Sequence, residues 1–147
     1  MIGEVGERAA LQPRSVTALC AAVIAGAMDV VYIWIIVAQS DTSDIARVVF
    51  VAVAIAALAA SAALGGTRPE ASARLPFLGV STGGLLALGY LGLFSIGLPL
   101  LAAGILSAVA WAATSRAAGP DHRRERWLAA GLAIAAPCVL VGSMFLT

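Results

Sequence analysis

"GLFSIGLPLL", residues 92–101, decides how often this chain crosses an apolar medium. It interrupts a run from Leu75 to Ser115 that is otherwise almost wholly apolar. One spanning helix needs about 20 apolar residues, so the run has the length of two. Gly97 and Pro99 supply the break, and proline is well tolerated in the first turn of a new helix. The stretch therefore predicts a tight helical hairpin, Pro76–Phe94 followed by Leu98–Ser115. A single tilted helix would not absorb a twofold excess of length.

Working outward from the hairpin, three more spans emerge. Ser15–Ala38 ends at the polar "QSDTSD" of residues 39–44, and Ile45–Leu64 stops at Gly65-Gly66. A polar loop, "TRPEASAR" (residues 67–74), then leads to the hairpin, with Pro69 and Pro76 opposing a continuous helix. Beyond it, "RAAGPDHRRER" (residues 116–126) breaks at Gly119-Pro120 and offers Asp121 as a helix N-cap before a last span, Trp127–Leu146. The first apolar run exceeds the about 7–15 residues of a signal-peptide core, so it is read as a span. The expectation is an all-α, polytopic membrane protein with five transmembrane helices. Residues 1–14 form a cytoplasmic N-terminal segment and 15–147 one transmembrane domain.

Charge supports that count. With five spans, Arg8, Arg14, Arg68, Arg74, Arg116, Arg123, Arg124 and Arg126 share one side, and only Arg47, beside Asp41 and Asp44, faces the other. This is a positive-inside pattern and predicts a cytoplasmic N-terminus and an outside C-terminus. Trp111 and Trp127 flank the arginine-rich loop, and Trp34 and Tyr90 fall toward the opposite ends of their spans, where interfacial rings belong. Composition agrees: 61% of residues are apolar and 12% charged, against about 45–50% and about 25% in soluble domains. The net charge of +1 gives no field for nucleic acid. All nine basic residues are arginine, which with abundant alanine and glycine points to a GC-rich bacterial coding sequence and the cytoplasmic (inner) membrane. Cys20 and Cys138 read as small buried apolar side chains.

Helices in a bilayer associate through close backbone approach, which small residues permit. Spacing of four places Gly79, Gly83 and Ala87 on one face of the third helix, and Gly104, Ala108 and Ala112 on one face of the fourth. The hairpin turn predicts that these two stripes pack together. Ala52, Ala56 and Ala60 form a weaker stripe on the second helix.

Chemistry is sparse. No metal-binding, nucleotide-binding or nucleophile motif is present, no cofactor is implied, and the single histidine, His122, reads as a solvated loop residue. Arg116, Arg123, Arg124 and Arg126 suit contact with anionic lipid headgroups, or serve only as a topology signal. The exception is Asp29, a carboxyl inside the first span with Tyr32 one turn on. Such a residue costs about 2.5–3.5 kcal/mol at a helix centre, so it needs a reason. Candidate partners within the chain are neutral: Tyr32, Thr17, Ser81, Thr82, Ser107 and Ser143.

Three roles follow. The first is an accessory or scaffold subunit of a membrane complex, favoured by short loops and scarce chemistry. The second is a homo-oligomeric transporter or channel handling a proton or cation at Asp29. The third is an intramembrane enzyme on a lipophilic substrate, with Asp29 as general acid. The expected partners are the bilayer and either further copies of the chain or a larger complex.

Overall fold

The computed structural model describes residues 13–39, 45–93, 97–118 and 123–146. Among them are five helices: α1 (Pro13–Gln39), α2 (Ile45–Thr67), α3 (Ala71–Leu91), α4 (Gly97–Ala117) and α5 (Arg123–Leu146). Residues 1–12, the acidic pair Asp41 and Asp44, the turn residues 94–96, the Asp121 cap and His122 lie outside the described residues, as does the side chain of Ser143.

The hairpin break falls where Gly97 and Pro99 place it. α3 closes with the Gly92 amide donating to the Leu88 carbonyl at 2.9 Å, and the Gly97 amide donates to the Gly92 carbonyl at 2.7 Å. Pro99 then occupies the first turn of α4, where its missing N–H costs nothing. The start of α3 differs from expectation. The helix begins at Ala71 rather than Pro76, so the loop before it shrinks to Arg68–Glu70. Pro69 keeps Arg68 from continuing α2. Pro76 is the sixth residue of the helix, past its first turn, and leaves the Ser72 carbonyl without its helical donor.

α1 packs on α2 and α4, and α3 packs on the same two helices, so the first four close into a ring. α5 lies outside this ring, with its substantial packing on α3. The core within the ring is built from Ala21, Ala25, Ile55, Leu58, Leu85 and Leu100 with their neighbours. Contacts between α3 and α4 run in opposite order, Ser81 to Ser107 and Leu86 to Gly104, so the two are antiparallel. Gly79 and Gly83 of α3 meet Ala129 and Ala133 of α5 in the same order, so those two run parallel. One end of the bundle therefore gathers Arg68, Arg74, Arg116, Arg123, Arg124 and Arg126, while Arg47, near the start of α2, is at the other.

Glycine explains why α3 can be central. A Cβ at Gly79 or Gly83 would fall on the α5 backbone at Ala129 or Ala133; one at Gly84 would strike Leu58 of α2; one at Gly89 would lie 2.6 Å from the Leu101 amide nitrogen of α4. Three neighbours thus approach one helix where it has no side chain. The Gly79–Gly83 stripe serves α5, not α4 as the hairpin suggested. Gly104 does face α3, where a Cβ would stand 2.8 Å from Leu86. Ala87, Ala108 and Ala112 are half-buried. On α2 the buried face is Ile55, Leu58, Ala62, Gly65 and Gly66. Ala56 and Ala60 are exposed, so the alanine stripe is not a contact face within the bundle. Pro137 adds a detail: it cannot donate to the Ala133 carbonyl, the same group that lies against Gly83.

α1, α2, α4 and α5 are each long and apolar enough to cross a membrane. α3 matches α4 in length but falls short in apolarity, because Arg74, Pro76, three serine or threonine residues and four glycines dilute it. The outer faces carry large apolar side chains, among them Val23, Trp34, Val53, Ile134 and Val139. Apolar surface of this extent belongs against lipid rather than water. The chain has the build of a membrane protein. Cys20 and Cys138 are free and exposed on those outer faces, not buried as expected.

Candidate functional site

α1 turns Ala18, Ala21 and Ala25 fully inward. Met28 continues that line against the core, and Asp29 follows at its edge, half-buried. One carboxyl oxygen of Asp29, Oδ1, is buried and has no hydrogen-bond partner among the described residues. Tyr32, three residues on, is also half-buried on the same side of the helix. Around them the outer half of α1 is exposed and apolar, with Val30, Val31, Ile33, Trp34 and Val37 all facing outward.

Three of the candidate hydroxyls are committed elsewhere. Ser81, Thr82 and Ser107 form one buried cluster between α3 and α4. Ser81 donates to the Leu78 carbonyl at 3.1 Å. A hydroxyl has one proton, so across the 2.6 Å Ser81–Ser107 contact Ser107 must be the donor. Thr82 in turn donates to Ser107 at 3.2 Å. The proton order Thr82 to Ser107 to Ser81 to Leu78 uses every hydroxyl proton of the three. Thr17 stands twelve residues before Asp29 on the same helix, an axial separation of about 18 Å at 1.5 Å per residue.

A second polar centre, formed by residues far apart in the chain, lies at the arginine-rich end. Arg74 is buried, not a loop charge. Its Nε donates to the Gly65 carbonyl at 2.9 Å and an Nη donates to Ser15 Oγ at 3.3 Å. Gly65 belongs to the last turn of α2, whose carbonyls lack helical partners, so Arg74 caps α2 while tying in the start of α1. Nearby in the chain order, Arg68 stacks over the Phe77 ring at 5.8 Å.

Trp111 departs from the interfacial reading. It packs half-buried against Ala18, Leu78 and Ala110. Its indole Nε1 and Ser115 Oγ, one turn on, are buried without hydrogen-bond partners among the described residues. Trp34 and Trp127 are exposed, as rings at an interface would be.

Of the arginines read as lipid contacts, Arg116, Arg123 and Arg124 are exposed and Arg126 is half-buried. Arg116 lies in the last turn of α4, where it complements the helix dipole. Arg123, Arg124 and Arg126 lie in the first turn of α5, where cations oppose it, so helix stability does not account for them. Among the described residues no three His, Cys, Asp or Glu side chains gather to hold a metal. Comparison with protein-family models, curated proteins and solved structures gives no match.

Proposed function

We propose that the chain is a five-span protein of the bacterial cytoplasmic membrane, N-terminus inside and C-terminus outside, and that it serves as an accessory or scaffold subunit of a larger complex. The observation that carries this reading is the contrast at Asp29: its buried Oδ1 has no donor among the described residues, while Ser81, Thr82 and Ser107 are committed to one another and to the Leu78 carbonyl. A carboxyl left this way in a membrane is costly, and a neighbouring subunit that bonds the accessible part of the half-buried group offsets that cost. The gathering of arginines at one end of the bundle supports the orientation. α3 is short of apolar residues for a span, but it is shielded by α2, α4 and α5, which removes the need for a wholly apolar surface.

The test is native electrophoresis of mildly solubilised membranes from the source organism. The expected result is migration with larger chains, reduced by Asp29→Leu. Migration as a lone chain, together with proton or cation flux in proteoliposomes that Asp29→Asn abolishes, would replace this reading with the transporter.

A further inference from the structure

We infer that the outer half of α5 holds an anionic phospholipid of the leaflet on the arginine side, with its phosphate on Arg123 and Arg124 and its acyl chains along Trp127, Leu128 and Ile134. This rests on the reading of the chain as a five-span membrane protein and is independent of the larger complex.

α5 meets the bundle on one side only. Its substantial packing is on α3, along the line of Ala129 and Ala133. At about 100° per residue, Arg123, Arg124, Trp127, Leu128 and Ile134 fall on the opposite half, and all five are exposed. At Gly131 and Gly142, in the same half, an added Cβ would meet nothing within 4 Å, so no described segment covers the helix there.

Charge decides the occupant. The first turn of α5 carries three arginines and one acid, and the helix sorts them. Glu125 and Arg126 lie on the packed half and are half-buried, with Glu125 Oε2 out of solvent. The two exposed cations, Arg123 and Arg124, crown the open half. Cations at a helix N-terminus oppose its dipole and gain nothing within the helix. A phosphate between them reverses that, because guanidinium groups bind its oxygens in charge-assisted pairs and its negative charge suits the helix end. A zwitterionic headgroup brings its own cation; an anionic one does not. The apolar part fits as well. Trp127 sits one turn from Arg123, at the depth where indoles meet headgroups. Half of a hydrocarbon core of about 30 Å corresponds to about ten residues of helix, which is the run from Arg124 to Ile134. A topology signal requires only charge on the correct side of the membrane. It does not require two arginines on the uncovered half of a helix, directly above an exposed indole and leucine.

The experiment places the full chain, with Trp34→Phe, in phosphatidylcholine vesicles that contain a small, equal fraction of acyl-brominated phosphatidylglycerol or acyl-brominated phosphatidylcholine. Bromine quenches an indole on contact, so Trp127 reports which lipid lies beside it, while Trp111 packs inward. Phosphatidylglycerol should show a relative affinity about fivefold higher. Arg123→Gln with Arg124→Gln should remove that preference without lowering thermal stability, since cations there do not support the helix. Arg68→Gln with Arg116→Gln takes two charges from the ends of α2 and α4, which do not pack substantially on α5, and should leave most of the preference. Equal affinity of the two lipids overturns the inference and leaves the face to a protein helix. So does a preference that survives the α5 pair of substitutions, or one that the control pair removes as fully, since it would belong to the charge of the whole end. Loss of the preference on adding inorganic phosphate at matched ionic strength also overturns it, because the arginines then hold a soluble anion. A chain that does not enter the vesicles defeats the membrane reading itself. The measurement is made on the isolated chain, so a lone chain in native membranes defeats the subunit reading alone.

Discussion

α3 and α1 handle polar groups in opposite ways. α3 carries Arg74, Ser81 and Thr82 along with four glycines, and it alone among the five helices falls short of the apolarity of a span. Yet those side chains find partners: Arg74 on Gly65 and Ser15, Ser81 and Thr82 on Ser107. α1 is strongly apolar, and its one carboxyl has an oxygen with no donor among the described residues. Hydropathy thus ranks the better protected helix as the weaker span. What a polar residue costs depends on what surrounds it, and α3 is surrounded on more sides than α1.

If α3 is the hub, the largest effect should come from closing its approach to α5. Gly83→Leu drives a side chain into the Ala133 carbonyl, which is backbone and has little freedom to move. Over-packing of this kind costs about 3 kcal/mol, the upper part of its usual range. Unfolding in mixed detergent micelles should show that loss, and protease should reach α5 first. If stability is retained, α5 does not depend on this contact.

Arg74→Ala should come next, at about 1–3 kcal/mol, because it strips donors from a buried carbonyl and a buried hydroxyl. Measured the same way, a loss confined to a few tenths would place Arg74 in solvent. Ser107→Ala should follow at about 1 kcal/mol. It removes both the donor to Ser81 and the acceptor from Thr82, in a medium where single interhelical bonds average about 0.6 kcal/mol. A double-mutant cycle with Thr82→Val should show coupling, since the two hydroxyls share one chain of protons.

The hairpin and the helix order were legible because Gly97 and Pro99 act locally, Gly97 by letting the Gly89 and Gly92 backbone come close and Pro99 by its fixed φ and missing donor. The importance of Gly83 was legible too, but not its partner: spacing reports which residues share a face, not which helix meets that face. Arg74 was misread as a loop charge for a related reason. Its partners lie 9 and 59 residues away, so only the closed bundle reveals that it caps α2 and holds α1. Trp111 sits where an interfacial ring would, and only its direction around α4 turns it inward against Ala18 and Leu78. Asp29 was visible at once, because a carboxyl in an apolar run needs no tertiary information to stand out. That Ser81, Thr82 and Ser107 are spent on one another and on the Leu78 carbonyl is visible only in the proton order of the α3–α4 cluster.

The smallest effect on the fold should be the most informative. Asp29→Leu removes a buried oxygen that has no hydrogen-bond partner among the described residues, so no such bond is lost there. Replacing an unsatisfied polar group by an apolar one of similar size is close to neutral or stabilising. Unfolding in detergent should therefore shift by less than about 0.5 kcal/mol, in contrast to Ser107→Ala, which removes a satisfied hydroxyl of smaller size. Assembly into the native complex should fall at the same time. A loss of several kcal/mol in the isolated chain would mean that Asp29 is satisfied internally, and the contrast between α1 and α3 would disappear. Unchanged stability with unchanged assembly would leave the contrast intact but move the partner's contact away from this carboxyl.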